Sequence, residues 1–323
     1  MFRFIIPLVT ALAIFASGYS AEAQQAGNIP TIGFLHAGDS TANSRVSPFL
    51  QGLREHGYVE GRNIRIEWRF ADGKRERLPA LAADLVNRRV DVIVTHGGAG
   101  QAPINATSTI PIVIAVAGDY VATGWAKSLS RPGGNVTGLS NLADGLIGKQ
   151  LELLKEAVPG LSRVAIVHAD HPSHTNMIHK AREAAAVLDL DIVPIRVAAA
   201  DLAPAFARMK AERVDGIVVL RLGLFVHLRG DMTARAREAG LPALFGHRIE
   251  AVAGGLISYG ADTKALWRSA GSYVDRILKG ADPGELPISQ ATTFDFVINL
   301  KTAKAIGVTF PPSILLRATE VIE

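Results

Sequence analysis

From residue 30 onward, short apolar runs alternate with segments whose apolar residues recur every three or four positions. Ile32–His36 reads as a strand. Val46, Phe49, Leu50 and Leu53 follow at i, i+3, i+4 and i+7, one face of a helix. Gly57 is placed to end that helix, and Pro48 is tolerable only in its first turn. Asn63–Phe70 is a second strand; Leu78, Leu81, Ala82 and Leu85 mark a second helix; Val90–Thr95 and Ile112–Ala117 are further strands. The rhythm then restarts. Ile147, Leu151, Leu154 and Val158 give a helix, Arg163–His168 a strand, and Met177, Ala181, Ala184 and Leu188 another helix. Strands follow at Asp191–Val197, Asp215–Leu220, Leu241–Phe245 and Leu256–Tyr259. The turn-rich Arg131-Pro132-Gly133-Gly134-Asn135 separates the two halves.

This pattern predicts an α/β protein with two doubly wound, parallel-sheet lobes. After residue 260 no third core is available. Leu266, Ala270, Tyr273 and Ile277 make one helix, Phe294, Phe296 and Ile298 alternate as a strand, and Leu300–Ile306 is a short helix stopped by Gly307. This tail is too small to fold alone, so its pieces are expected to rejoin both halves across a multi-crossing hinge. The expected division is 30–140 plus 261–287 for lobe 1, and 141–260 plus 288–323 for lobe 2.

The first residues are read apart from the fold. Arg3 precedes an apolar run from Phe4 to Phe15, and Ala21-Glu22-Ala23 offers a cleavage site. Residues 1–23 are expected to be a signal peptide, and the run is too short to span a bilayer. The chain has no cysteine, which removes disulfides, thiolate metal sites, a cysteine nucleophile and a lipidated cysteine anchor. The formal charge is +4. The basic residues are scattered with no aromatic-interleaved stripe, and nucleic acid is not an expected partner.

Ligands of open parallel sheets sit beyond the carboxyl ends of the strands. That rule selects His36 to Ser40 after the first strand, Thr95, His96, Gly97 and Gly98 after the third, and Gly118, Asp119 and Tyr120 after the fourth. In the second half it selects His168–Ser173, with Asp170 and Ser173 the polar candidates, then Arg221, Gly246-His247 and, at the crossing, Tyr259. Glycines at 97 and 98 let backbone approach a ligand; a plain tight turn is the alternative. Asp119 is read either as a partner for a ligand amine or as a solvated cap, and Tyr259 either as a stacking ring or as hinge packing. His168, Asp170, His171, His174 and His179 lack the i, i+4 pairing of a zincin, so no metal and no cofactor are expected. Neither a GxSxG elbow, a phosphate loop nor an HExxH stretch is present, and no catalytic residue is assigned.

Several longer strings carry a family resemblance. They are Gly52-Leu53-Arg54-Glu55-His56-Gly57-Tyr58-Val59-Glu60-Gly61-Arg62-Asn63, Leu78-Pro79-Ala80-Leu81-Ala82-Ala83-Asp84-Leu85-Val86, Arg131-Pro132-Gly133-Gly134-Asn135-Val136-Thr137-Gly138, Gly254-Gly255-Leu256-Ile257-Ser258-Tyr259-Gly260 and Tyr273-Val274-Asp275-Arg276-Ile277-Leu278-Lys279-Gly280. From about residue 30 to its end the chain resembles the ABC-transporter substrate-binding family that includes tryptophan- and other aromatic-amino-acid-binding members. The resemblance implies a type I periplasmic-binding-protein fold, a small ligand clamped between the lobes, and ABC permease subunits as partners. It implies ligand contacts from Thr95–Gly98, from the segment around Asp119 and from the second-lobe strand ends. The sequence departs from the family at these positions. The family commonly has Asp-Pro where this chain has Asp119-Tyr120, small hydroxyl residues where it has His96-Gly97-Gly98, and an aliphatic residue near Trp125. The expected protein is a monomeric periplasmic receptor without a chemical step; a sensor module presenting its ligand to a signalling receptor, or a secreted enzyme, is the alternative.

Overall fold

The computed structural model describes residues 29–38, 43–141, 143–198 and 200–323. The expected signal segment, Asp39 and Ser40 lie outside the described residues. The first half comprises β1 (Thr31–His36), α1 (Asn43–Glu55), β2 (Arg65–Phe70), α2 (Leu78–Asn87), β3 (Val92–Thr95), α3 (Gln101–Ala106), β4 (Ile112–Ala117) and β5 (Val136–Ser140). The second comprises α4 (Ala143–Ala157), β6 (Arg163–His168), α5 (Pro172–Val187), β7 (Asp191–Arg196), α6 (Ala203–Ala211), β8 (Gly216–Val219), α7 (Gly223–His227), α8 (Arg229–Glu238), β9 (Ala243–Phe245), α9 (Arg248–Val252) and β10 (Ile257–Ala261). The tail adds α10 (Thr263–Leu278), β11 (Ser289–Gln290), β12 (Phe294–Asn299), α11 (Leu300–Ile306), α12 (Pro312–Arg317) and β13 (Glu320–Ile322).

Two sheets result. The six-stranded sheet runs β11-β5-β4-β3-β1-β2, and the seven-stranded sheet β13-β12-β10-β9-β8-β6-β7. Central strands such as β3 and β8 are buried along their whole length, as parallel strands covered on both faces must be. In the first sheet, Phe34, Val92 and Val94 face α1 and α10, while Leu35, Ile93 and Ile112 face α2 and α3. In the second, Ile166, Val218 and Leu244 pack with α4 and α5, and Val167, Val219 and Phe245 pack on the opposite face.

The tail joins both sheets. α10 packs on the first sheet beside α1, and the two helices approach so closely that a Cβ on Gly52 would lie 1.9 Å from the Arg268 carbonyl oxygen. β12 pairs with β10 in the second sheet. The chain therefore crosses between sheets after β5, after β10 and after β11.

The structure differs from the sequence reading in several places. Pro48 sits in the second turn of α1, because the polar residues before Val46 are already helical. β5 carried no apolar alternation strong enough to mark it. It contains Gly138 at φ +146°, beside a bulge against β4, where a Cβ would lie 2.1 Å from the Ile114 carbonyl oxygen. The second sheet is mixed, since β12 returns antiparallel to β10. β11 pairs with β5 and holds the chain in the first sheet to residue 290, past the expected return at 288.

Candidate ligand-binding site

Each sheet has the strand order 2-1-3-4-5 within its parallel part: β2-β1-β3-β4-β5 in one and β7-β6-β8-β9-β10 in the other. In this order successive connections leave from opposite faces at the junction of strands 1 and 3, opening a crevice beyond their carboxyl ends. The crevices are therefore fixed at the ends of β1 and β3 and of β6 and β8. His36 and His96 stand at the first, Arg221 at the second.

In the first crevice the His36 and His96 rings lie 4.4 Å apart. The Gly38 N–H donates to Nδ1 of His36 at 2.9 Å, and the Gly98 N–H donates to Nδ1 of His96 at 3.2 Å. Each imidazole thus folds its own loop back on itself. The Ala37 nitrogen also lies 3.3 Å from Nε2 of His96, bringing the two loops together. Arg75 donates from Nη2 to the Gly98 carbonyl at 2.7 Å. A Cβ on Gly98 would lie 2.8 Å from Cε1 of His96, so a larger residue there would displace that ring. Trp267, buried in the first turns of α10, backs the pair at 6.2 Å from His36 and 6.4 Å from His96. Burial, then the neighbouring His36 and the Arg45 and Arg75 guanidiniums, push the His96 imidazole well below its usual range, so it is neutral.

In the second crevice Arg221 lies across two glycines. A Cβ on Gly246 would lie 2.2 Å from Cγ of Arg221, and one on Gly260 would lie 3.3 Å from its Nη1. Nε of Arg221 donates to Nε2 of His247 at 3.1 Å, and Nη2 lies 3.0 Å from Nδ1 of the same ring. Nη1 is shielded from solvent and has no hydrogen-bond partner among the described residues. Burial brings the guanidinium down to about 10, still a full cation at neutral pH. Behind it, buried Glu250 accepts the His247 N–H at 2.9 Å, and burial pushes its carboxyl up to about 7. Burial, then Arg221 and Arg45, push His247 well below its usual range. The Arg45 field thus reaches His96 in one lobe and His247 in the other. His96, Arg221 and His247 are each only partly buried.

Not every expected residue joins them. Thr95 is sealed in the first sheet, its hydroxyl donating to the Leu35 carbonyl at 2.9 Å. Tyr120 is fully buried, and its hydroxyl meets the carbonyls of Ile114 and Leu139 at 2.8 and 3.1 Å. The chain after β4 turns back on itself here, so the ring points into the core. Asp119 accepts the N–H groups of Val121 and Ala122, each at 2.9 Å, the cap alternative. Asp170 is solvent-exposed and pairs with Arg196 at the end of the edge strand β7. Ser173 is buried against His171, at 2.7 Å from its Nδ1. Tyr259 stacks near Phe294 and meets Phe296 edge-on, the hinge-packing alternative. His174 is held by backbone groups of Ala169 and Arg221, and His179 lies beside Glu183 on an exposed helix face. Arg45, Arg75, Trp267 and Glu250 escaped the strand-end rule because they belong to helical segments that reach the cleft from its sides.

Two doubly wound sheets, each with polar residues at its switch point and joined by three chain crossings, define a two-lobed α/β protein. The family described as ABC transporter substrate binding protein matches residues 35–322, and the chain belongs to that family. It is 25% identical over 260 residues to the tyrosine-binding protein of Clostridioides difficile, covering 80% of this chain and 75% of that one. It superposes with a TM-score of 0.82 on the ABC domain of Streptococcus pneumoniae solved with L-tryptophan, at 25% identity over 91% of this chain and 99% of the other. A conserved domain protein of Vibrio cholerae is similar at 28% identity and a TM-score of 0.83, with the same coverage. The fold is that of the periplasmic binding proteins. No helix among the described residues is long and apolar enough to cross a membrane.

Proposed function

We propose that this protein is the extracytoplasmic receptor of an ABC importer, which closes on a small organic ligand carrying a ring system and delivers it to permease subunits without transforming it. The observation that carries the reading is that the Arg45 guanidinium of the first lobe acts both on His96, which neighbours His36 and Trp267, and on His247 of the second lobe, the partner of Arg221. The tyrosine- and tryptophan-binding relatives support a ring-bearing ligand. The signal-like start of the sequence supports a periplasmic site of action, and a monomer suffices because one chain supplies both jaws.

The crossings after β5, β10 and β11 act as the hinge. A ligand that touches both lobes only when they are closed shifts the population toward the closed form, which the permease then engages. The test is native mass spectrometry of the protein isolated from producing cells, followed by denaturation to release its cargo. One small molecule per chain supports the receptor reading. An empty protein, with no thermal shift across aromatic acids, amino acids and sugars, overturns it.

A further inference from the structure

Resting on that receptor reading, we infer that Glu250 is a positioning residue for ligand binding: it holds the loop on which Arg221 rests, and its one proton sets how strongly Arg221 grips a ligand acceptor. The stem of Arg221 fills the space left by the absent side chain of Gly246, and its Nε donates to Nε2 of His247 at 3.1 Å. Glu250 lies in the first turn of α9, directly after that loop. Its carboxyl turns back to accept the His247 N–H at 2.9 Å, and its own N–H donates to the His247 carbonyl at 3.1 Å. The Gly246 N–H also favours the ionised form of the same carboxyl. Both residues beneath Arg221 therefore depend on one side chain. A glutamate that only closed a helix could do so from water, yet Glu250 is 2% exposed. Carboxyls are rarely buried to that degree without a charge partner, and Arg221 is the cation beside it.

Charges reach this group from every element packed on α9. Arg221, beyond β8, and Arg229, on α8, favour ionised Glu250. Arg237, also on α8, lies beside Gly254 at the far end of α9, where α11 sends only the Thr302 hydroxyl to the Gly254 carbonyl. Asp295 in β12, opposite Gly260, adds negative potential at Arg221. Its carboxyl is raised by burial and by Asp262 and lowered by Arg248 and Lys264, and Arg248 is paired with Glu320. Burial, then Arg221 and Arg45, keep His247 neutral. For Glu250 burial outweighs the arginines and brings the carboxyl up to about 7. With its proton on, Glu250 takes nothing from the charge of Arg221. With the proton off, a buried negative charge stands behind the guanidinium and competes with any acceptor approaching Nη1, which is shielded and has no partner among the described residues. A negatively charged or strongly polar acceptor seated on Arg221 pushes the Glu250 carboxyl higher still, so the bound form holds the proton more tightly. Affinity then falls as the pH rises through the window around that value.

The experiment compares wild type with Glu250→Gln, which keeps an acceptor for the His247 N–H but cannot ionise. The first readout needs no ligand: the Nε–H nuclear magnetic resonance of Arg221 in nitrogen-labelled protein, identified by its absence from Arg221→Gln. It is expected to titrate near neutral pH in wild type and to be flat in Glu250→Gln. A flat wild-type resonance, or the same titration in both proteins, overturns the inference. The second readout is isothermal titration with L-tyrosine and L-tryptophan. Wild type is expected to bind at least about threefold more tightly at about pH 6 than at about pH 8, and Glu250→Gln equally at both. Identical profiles would make Glu250 a helix cap alone and overturn the inference, as would wild-type affinity in a folded Glu250→Ala at both pH values. If neither amino acid binds, the Arg221 resonance decides the inference by itself. The receptor reading stands or falls separately, on whether the isolated protein carries a cargo.

Discussion

Tyr120→Phe separates a structural ring from a ligand contact. The position lies just beyond β4, where a strand-end residue is expected to meet ligand, yet the hydroxyl is wholly internal and lies within hydrogen-bonding distance of the carbonyls of Ile114 and Leu139. These two carbonyls belong to adjacent strands at the bulge between β4 and β5, where the ladder is interrupted. Burial pushes the phenol well above its usual range, so the donor proton is retained at every working pH. The substitution removes one donor and changes volume little. Two buried acceptors lose their partner, a cost of about 2 kcal/mol given ~1–3 kcal/mol for an unsatisfied buried group. For a chain of this size, at ~2.1 cal/mol/K of unfolding entropy per residue, that corresponds to a melting temperature lower by roughly 3 °C. Calorimetry measures this, and titration with the natural ligand should show an affinity within about twofold of wild type, less than ~0.5 kcal/mol. An unchanged melting temperature with a tenfold loss of affinity would refute the reasoning and return Tyr120 to the pocket.

Three further outcomes are expected. Gly271→Ala would drive a Cβ to 2.4 Å from the Gly52 carbonyl carbon, so the α1–α10 contact must open; the cost is at least about 1–3 kcal/mol, read as a lower melting temperature, and an unchanged value would show that the helices are not in contact there. Glu250 keeps its proton to about 7 in the folded protein but to only 4.5 when unfolded, so the folded state binds more protons between those values; its contribution to stability falls as the pH rises through that window, and Glu250→Gln should remove this slope from a melting-temperature profile. If the difference between wild type and variant is the same at both ends of the window, the assignment fails. Asp170→Asn should leave both melting temperature and affinity unchanged, since its partnership with Arg196 is screened by water; a weakened affinity would place Asp170 back at the site.

Much of the fold could be read from residue patterns because parallel strands covered on both faces are nearly continuous apolar runs. β1, β4 and β6 stand within a residue of where the pattern puts them, and α11 ends at Gly307, left-handed at φ +73°. The strands that escaped are those stabilised by their surroundings. β5 is interrupted by Gly138, and β11 and β13 are edge strands of two and three residues whose pairing depends on the sheet already being there. The strand-end rule and the switch point together single out His36, His96, Arg221 and His247, the residues of the proposed site. It misled at Thr95 and Tyr120, because a strand end has an inside and an outside, and the sequence does not say which side of the last turn a ring takes. It misled at Asp170 because that loop opens toward the edge strand β7 rather than toward β8.

The glycines mark the site more closely than the polar residues do. Gly246 and Gly260 stand at the neighbouring strands β9 and β10, and neither has a positive φ, so no turn requires them. What they share is Arg221, whose stem and guanidinium occupy the volume where their side chains would stand, while the Gly246 carbonyl lies 2.0 Å from where a Cβ on Gly260 would be. Gly246 closes β9 and Gly260 lies in β10, the strand that leads into the hinge. The cation is therefore held against backbone at the junction of the crevice and the crossing, with its rotamer fixed before any ligand arrives. A group held in this way loses little conformational freedom on binding. On the proposed receptor reading, a ligand group seated on Arg221 would bear on β10, the strand that leads the chain toward the opposite lobe. A larger residue at Gly260 should therefore disturb closure as well as affinity, whereas Arg221→Gln should disturb affinity alone, and small-angle scattering with and without ligand separates the two.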